Sequence, residues 1–308
     1  MFGSKSAVVW LIIAALAWAA TGISWKYFSM LGFSFIVIFL VSRLFKFLAV
    51  YFISYYRVKS HEPIKNLREF MFIFLNAVFS VGTPLFFFLA LQETSVSNAY
   101  FLQYTMPAWV LIFAIIFLGE KIGAKKIFGF LLTMLGICLI ASPWKLLESG
   151  QMNLGLLFGL LSGFSHTGDI ITSRELKDYS YHTVSFYTNM MQFLIAAVVT
   201  PLFFKMSFAG TDPVDLLAFA LIGVFLGIAS DLYYHALQKL EASTAAIISF
   251  SELIFAAVLA FLLFGEKPMG NELIGYALIL IAGAIIVLRR ADIGRFEHLI
   301  RITTSSKA

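Results

Sequence analysis

The chain consists largely of apolar stretches of about 20 residues, the length of helix that crosses roughly 30 Å of hydrocarbon. Charged residues or segments with Gly and Pro separate the stretches. The sequence is 60% hydrophobic and only 13% charged, whereas soluble domains are about 25% charged. The short alternating strands typical of a membrane β-barrel are not found in it. The sequence therefore predicts an all-α, polytopic helical membrane protein.

Ten apolar stretches are present, and each predicts one transmembrane helix. Their approximate limits are 6–28, 33–56, 70–91, 97–118, 124–143, 153–173, 183–204, 215–237, 243–264 and 271–289. The first begins almost at Met1 and exceeds the apolar core of a signal peptide, so we interpret it as a retained span. The single cysteine, Cys138, lies in an apolar stretch and excludes an intrachain disulfide.

The positions of Lys and Arg predict how the chain is oriented. With a cytoplasmic N-terminus, the cytoplasmic segments contain sixteen of these residues and the outer loops three. The sixteen are Lys5, Arg57, Lys59, Lys65, Arg68, Lys121, Lys125, Lys126, Arg174, Lys177, Lys239, Arg289, Arg290, Arg295, Arg301 and Lys307, and the three are Lys145, Lys205 and Lys267. Because cationic loops stay in the cytoplasm, we expect both termini there. The tail is either a short helix on the inner leaflet or a frayed basic end.

The sequence repeats at an offset of 146 residues. Gly119-Glu120-Lys121 recurs as Gly265-Glu266-Lys267, and Ala90-Leu91-Gln92 recurs as Ala236-Leu237-Gln238. Because five spans per half is an odd number, the second half must be inverted relative to the first. We therefore divide the chain into a five-helix repeat at 1–146, an inverted five-helix repeat at 147–290 and a cytoplasmic tail at 291–308. Repeated membrane halves are typical of secondary transporters, whose site lies between the halves.

Several short motifs occur in the order found in one transporter family. Tyr104-Thr105-Met106-Pro107 precedes an apolar stretch that ends in Leu118-Gly119-Glu120-Lys121, and Arg43, Trp18 and Lys26 lie in the first two spans. In these features the chain resembles the EamA type of the drug/metabolite transporter superfamily, which has ten helices in two inverted repeats. The resemblance implies transport of a small metabolite, often outward and coupled to a gradient. Where that family often has Glu-Pro, this chain has Glu252-Leu253. The sequence therefore gives no proline from which a kink in span nine could be predicted.

Ionisable residues inside the spans mark candidate binding and coupling positions, because they are costly in a membrane. Glu252 lies near the middle of span nine, and three pairs share a helical face at spacings of three or four residues. The pairs are Arg43 with Lys46, His166 with Asp169, and Asp231 with His235. The offset relates Arg43 to Asn189 and Lys46 to Gln192, so polar residues recur at matched depths. A structural role for Arg43 and Lys46, and an interfacial position for Asp169 and His235, are the alternatives.

The first-half spans carry cations and the second-half spans carry acids and histidines, which predicts a site for a zwitterion between them. Its carboxylate would face Arg43 and its ammonium Glu252 or Asp231, with aromatic residues stacking on it. The predicted substrate-binding residues are Arg43, Tyr100, Gln103, Tyr104, His166, Asp231, Tyr234 and Glu252. Glu252 and Asp231 are also predicted to couple transport to protons, because a carboxyl group held away from water can bind and release one in each cycle.

The predicted function is transport of a small polar or amphipathic metabolite such as an amino acid, a derivative or a larger nucleoside-type zwitterion. We predict a protein of the inner (plasma) membrane, in contact with the lipid bilayer, with a homodimer as a further possibility. No enzyme activity, catalytic residue, metal or cofactor is expected, nor ATP-driven transport, because no Walker-type loop is present. Membrane topology explains the loop cations, so nucleic acid is not an expected partner. An intramembrane metal-dependent enzyme and a channel or structural membrane protein are the alternatives.

Overall fold

The protein is a bundle of helices, known here from a computed structural model that describes residues 2–57, 61–94, 96–141, 154–208, 210–268 and 270–287. These residues form twelve helices and no strands: α1 (Phe2–Met30), α2 (Phe35–Arg57), α3 (Leu67–Glu93), α4 (Val96–Gln103), α5 (Met106–Leu118), α6 (Ala124–Ala141), α7 (Leu154–Glu175), α8 (Tyr181–Phe203), α9 (Pro213–Lys239), α10 (Ala242–Ser249), α11 (Ser251–Phe264) and α12 (Gly270–Val287). Because α4 with α5 and α10 with α11 each make one span, ten segments are long and apolar enough to cross a membrane, which confirms the prediction. The predicted tail 291–308 and the cations Lys59, Lys145, Arg289 and Arg290 lie outside the described residues.

Local sequence explains where several helices begin and end. At the start of α3, the Asn66 side chain accepts a hydrogen bond from the Glu69 amide at 2.9 Å, and at the start of α9 Asp212 caps the helix in the same way. Gly119 ends α5 and Gly265 ends α11, both in the left-handed conformation, with φ of 62° and 70°. Glycine adopts this conformation without a steric penalty. The glycine of the repeated tripeptide is therefore a helix stop.

The fourth and ninth spans are broken at equivalent places in the two repeats. The first break lies between Gln103 and Met106, and the second lies at Phe250, which is 146 residues beyond Tyr104 in the first break. Pro107 accounts for the first break, because proline has no amide hydrogen and is favoured in the first turn of a helix. The second break forms without proline, through hydrogen bonds between residues three apart around Phe250. The absence of a proline therefore does not make span nine continuous.

The contacts between helices follow the repeat. Helix α3 packs along α7, and their repeat equivalents α9 and α1 pack on each other. In the same way α2 packs on α9 and α8 packs on α3. Helices α2 and α8, which are each other's equivalents, are in contact, as are α6 and α12. This pattern of contacts is the one expected if a two-fold axis relates the halves. The contact between α2 and α8 then lies on that axis, at the centre of the bundle.

The two Gly-Glu-Lys segments lie at opposite ends of the bundle. The Glu120 carboxylate accepts a hydrogen bond from the amide of Ala242, the first residue of α10. Glu266 lies beyond the last residue of α11 and contacts Lys26 near the C-terminus of α1. Since α10 and α11 form one span, equivalent segments of the two halves sit at its two ends. This antiparallel placement is the one that an inverted repeat requires.

Small residues allow the central helices to approach closely. A Cβ atom at Gly223 of α9 would lie 2.4 Å from the Ser42 carbonyl oxygen of α2, and one at Gly227 would lie 2.8 Å from the Lys46 carbonyl. Both distances are shorter than any van der Waals contact, so a side chain at either position would force the helices apart. The glycines hold α9 against α2, and that contact positions the polar residues of both helices.

Candidate functional site

A cavity of about 840 Å³ lies between the two halves and is open at one end of the bundle. Helices α1 to α4 of the first half and α7, α9 and α11 of the second contribute its walls. Ser29, Met30 and Gln92, which lie near the C-termini of α1 and α3, form an exposed rim. We name the end that contains this rim and Glu266 the open end, and the end that contains Glu120 the closed end.

Two cations on α2 form one pole of the cavity. Arg43 Nη1 donates to Gln192 Oε1 at 2.8 Å, and Lys46 Nζ donates to the same oxygen at 2.9 Å. Arg43 Nη2 also donates to the Ser80 carbonyl at 3.1 Å. In the described part of the chain neither cation forms a salt bridge with a carboxylate. Lys46 and Gln192 are related by the repeat offset, so the bond between them joins equivalent positions of the two halves. Because Gln192 is uncharged, it does not compensate the positive charges of Arg43 and Lys46.

Asp169 lies beside this cationic pole and is held by a polar network. Asn76 Nδ2 donates to Asp169 Oδ1 at 2.7 Å, and the Tyr233 hydroxyl donates to Asp169 Oδ2 at 3.3 Å. The Tyr234 hydroxyl donates to Asn76 Oδ1 at 2.9 Å. Asp169 also interacts electrostatically with Lys46. These bonds hold the carboxylate in place. It therefore reduces the positive potential at the pole but forms no ion pair with either cation.

Glu252 forms a second pole at the break in the ninth span. It lies in the first turn of α11, where the helix dipole favours a negative charge. Tyr100 and Tyr104 line the cavity with it, and their rings stack with centroids 5.5 Å apart. Among the described residues the Glu252 carboxylate has no hydrogen-bond or salt-bridge partner. A carboxylate inside a membrane bundle that faces a cavity and lacks a protein partner is available to a ligand.

Seven of the eight predicted substrate-binding residues line the cavity, namely Arg43, Tyr100, Gln103, Tyr104, His166, Tyr234 and Glu252. Asp231 does not: its Oδ1 lies 3.3 Å from His182 Nδ1 of α8. Ser230 and Tyr234, one turn apart on α9, face the cavity. Asp231 is turned about 100° from Ser230 around the helix, which directs it to α8. The structure therefore does not bring Asp231 together with the other seven residues.

Besides the exposed Lys26, two buried charged residues line the cavity although they were not among the predicted substrate-binding residues. These are Lys46 and Asp169, which are only 8% and 9% exposed. The spacing of three residues from Arg43 to Lys46, and from His166 to Asp169, was the signal that each pair shares a helical face. His235 is also away from the cavity, stacked between Trp10 and Tyr181 with ring centroids 3.8 and 4.0 Å away.

Comparison with known proteins assigns the family. The sequence model of the EamA-like transporter family matches residues 5–142 and again residues 153–288. The chain belongs to the EamA-like transporter family. An uncharacterized transporter of Archaeoglobus fulgidus is 28% identical over 214 residues, which cover 69% of this chain and 74% of that one. An S-adenosylmethionine uptake transporter of Rickettsia bellii is 21% identical over 287 residues, which cover 90% and 92%.

A solved crystal structure shares the fold of this EamA-like protein. It is 16% identical in sequence, has a TM-score of 0.75 and covers 92% of this chain and 96% of the other. The family and the ten apolar spans make the chain an integral membrane transporter, which favours transport over the enzyme and channel alternatives. Within the described ranges no group of three or more His, Cys, Asp and Glu residues is placed to hold a metal ion.

Proposed function

We propose that this EamA-like protein is a secondary transporter that binds a small zwitterionic metabolite in the cavity between its halves. The substrate carboxylate binds the cationic pole formed by Arg43 and Lys46, and the substrate ammonium binds Glu252. The observation that carries this proposal is the unpartnered Glu252 carboxylate, which shares one cavity with two cations that lack a direct counter-ion. A zwitterion supplies both missing charges at once.

The chemistry of the two poles differs in a way that fits the two ends of such a substrate. Arg43 and Lys46 share one acceptor, Gln192, which leaves other N–H groups of both side chains for an anionic oxygen. At the other pole, Tyr100 and Tyr104 place aromatic rings beside the Glu252 carboxylate. A cation is attracted both to a carboxylate and to the faces of aromatic rings. The arrangement favours a ligand whose positive end is partly apolar.

The size of the cavity favours amino acids with large side chains and amino acid derivatives. Its volume of about 840 Å³ lies in the upper part of the range of roughly 300–1,000 Å³ found for small-molecule sites. Trp18, Trp25 and Phe87 add apolar and aromatic wall beyond the two charged poles. The relative from Rickettsia bellii is named for S-adenosylmethionine. That molecule has an amino acid head, a cationic sulfur and an adenine ring, so it belongs to the class that this cavity fits.

We also propose outward transport or exchange coupled to protons. The orientation predicted from the loop cations places the open end outside the cell, with both termini in the cytoplasm. When the substrate ammonium leaves, Glu252 binds a proton in its place and carries it back through the transport cycle. Coupling is assigned to Glu252 rather than to Asp231, because Asp231 lies at His182 and does not reach the cavity.

The site is tested by ligand binding to the purified protein, followed as thermal stabilisation across a panel of amino acids and S-adenosylmethionine. Glu252→Gln is expected to weaken binding at least about tenfold, since a hydrogen bond to a charged group contributes about 1.5–3 kcal/mol. The apo protein should keep its stability, because the Glu252 side chain makes no hydrogen bond to any residue that the structure describes. Arg43→Gln should weaken binding of the same ligands.

The matched control is Asp178→Asn, which removes an exposed carboxylate that does not line the cavity and should leave affinity unchanged. Proton coupling is tested by flux into liposomes over a range of pH, where Glu252→Gln should flatten the pH dependence. Wild-type affinity in both Glu252→Gln and Arg43→Gln would refute the site. A flat pH profile in the wild type would refute coupling while leaving the site intact.

A further inference from the structure

The closed end contains an unusual helix cap. The Glu120 carboxylate, from the loop after α5, accepts hydrogen bonds from the Ala242 amide at 2.5 Å, the Ser243 amide at 3.3 Å and the Ser243 hydroxyl at 2.5 Å. It also forms a longer ion pair with Lys126, at 3.4 Å. Glu241, the residue that precedes α10, contributes no side-chain cap of its own. Two of the free amides at the start of α10 therefore donate to a carboxylate from the other half of the protein. This contact ties the two halves together at the closed end.

The repeat places an equivalent carboxylate at the open end, but its contacts differ. Glu266 is the equivalent of Glu120 at the offset of 146 residues, and it pairs with Lys26 of α1 instead of a helix start. The side chains of Glu266 and Lys26 are 53% and 41% exposed, whereas that of Glu120 is 6% exposed. The helix start that corresponds to α10 is that of α4, which begins at Val96 and has Ser97 where α10 has Ser243.

We propose that Glu120 and Glu266 are alternating latches of the transport cycle, an inference that rests on the proposed transport function. Glu120 caps α10 and holds the closed end shut in the state described here. In the opposite state Glu120 leaves α10, the closed end opens, and Glu266 leaves Lys26 to cap the first turn of α4. Each carboxylate is thus a positioning residue that stabilises one of the two states by joining the halves at one end.

The environments of the two carboxylates explain why only one latch is engaged at a time. A carboxylate that accepts three hydrogen bonds at a sheltered helix start is stabilised by charge-assisted bonds and by the helix dipole. An exposed ion pair such as Lys26–Glu266 is screened by water and contributes little. Glu266 is therefore held loosely and is free to move when the open end closes. Because the latches sit at opposite ends of the bundle, engaging one at each end would require both ends to be shut together.

Two repeat-related glutamines provide matched reporters for this idea. Gln92 lies on the exposed rim at the open end, and its equivalent Gln238 is half-buried at the closed end, where its side chain donates to the Tyr179 carbonyl. In a Cys138→Ser background, Gln92→Cys and Gln238→Cys are each labelled with a membrane-impermeant thiol reagent on purified protein. The Gln92→Cys site should react quickly and serve as the reference. The Gln238→Cys site should react slowly, because it is covered in this state.

Glu120→Gln is expected to raise the labelling rate at Gln238→Cys at least about tenfold, because it removes charge from three hydrogen bonds. Glu266→Gln is expected to lower that rate, since it weakens the latch of the opposite state. Combining both changes should return the rate close to that of the wild type. Ser243→Ala removes one of the three bonds between Glu120 and α10, so it should raise the labelling rate by a smaller factor than Glu120→Gln. It provides the test if Glu120→Gln does not fold.

An unchanged rate in both Glu120→Gln and Ser243→Ala would overturn the proposal. The proposal would also be overturned if adding Glu266→Gln to Glu120→Gln did not reduce the labelling rate at Gln238→Cys. Local loosening at the closed end would not respond to a residue at the other end. The readout requires no substrate. Failure of the latch therefore leaves the zwitterion site standing, and failure of ligand binding leaves the labelling pattern unaffected.

Discussion

Replacing Gln192 separates the structural role of the cationic pole from its role in binding. The side chain is 1% exposed, and one oxygen accepts from Arg43 at 2.8 Å and from Lys46 at 2.9 Å. In Gln192→Leu both buried cations lose this shared acceptor and nothing of similar polarity replaces it. The variant is therefore expected to be less stable than the wild type even without ligand.

The expected loss follows from three interhelical hydrogen bonds, because Gln192 Nε2 also donates to the Tyr234 hydroxyl at 3.3 Å. Such bonds within membranes contribute about 0.6 kcal/mol on average and up to about 1.7 kcal/mol each. Three of them give a loss of about 2–5 kcal/mol for Gln192→Leu. A change of 1 kcal/mol shifts the melting temperature of a large domain by about 2–4 °C, so the expected fall is at least about 4 °C. Thermal unfolding of monodisperse protein in detergent measures it.

Gln192→Glu is the informative partner of this variant. Its carboxylate keeps an acceptor for Arg43 and Lys46 and adds the counter-ion that they lack, so we expect stability at or above that of the wild type. The same carboxylate competes with a substrate carboxylate, so affinity for zwitterions should fall at least about tenfold. Gln103→Leu is the stability control, because Gln103 lines the cavity and its side chain makes no hydrogen bond among the described residues.

Either of two results would contradict the roles given to Gln192 and the cationic pole. If Gln192→Leu melts at the wild-type temperature, the bonds to the two cations do not stabilise the fold. If Gln192→Glu binds zwitterions as tightly as the wild type, the cationic pole does not receive the substrate carboxylate, and the polarity of the proposed site is wrong.

Two further predictions concern packing and the polar network. Gly223→Ala should lower stability by about 1–3 kcal/mol, because its Cβ would lie 2.4 Å from the Ser42 carbonyl, whereas Gly283→Ala, with nothing within 4 Å of its Cβ, should be neutral in the same melting experiment. Asn76→Ala should cost about 1–3 kcal/mol in unfolding free energy, since it leaves the buried Asp169 carboxylate without its closest donor. Wild-type melting of Gly223→Ala, or of Asn76→Ala, would contradict the close packing and the network respectively.

The helices and their number could be predicted from the sequence because the hydrocarbon thickness sets the length of every span. The predicted span 183–204, for example, corresponds to a helix from Tyr181 to Phe203. The break in the ninth span was not predictable in the same way. No proline marks it, and it depends on how Phe250 packs beside Tyr104, with ring centroids 5.5 Å apart. Hydropathy reports how deep a residue lies along the membrane normal, and says nothing of such packing.

For the candidate site, too, the sequence indicates how deep a residue lies in the membrane but not which way its side chain faces. Asp231 has the burial expected of a site residue, at 5% exposed, but it faces His182 across the α8–α9 contact. Which way a residue faces around its helix depends on the neighbouring helices, and the order of spans alone does not reveal them. Glu252 could be found from sequence because it is an isolated acid near the middle of a span. Asp169 required the observation that it shares a face with His166.

The two halves have similar helix arrangements but different polar residues, and the proposed transport of a zwitterion depends on both features. The halves share a break in one span, a helix stop at Gly119 or Gly265, and matched helix contacts. The proposed opening of the cavity at either end in turn depends on this likeness. The polar residues differ: Lys46 donates to its own equivalent, Gln192, and Glu252 corresponds to Met106. A fully symmetric pair of halves would place like charges across the axis, where they repel each other and bind no zwitterion. The difference between the halves therefore produces opposite poles in one cavity, and their likeness is the feature on which the proposed alternation between two states depends.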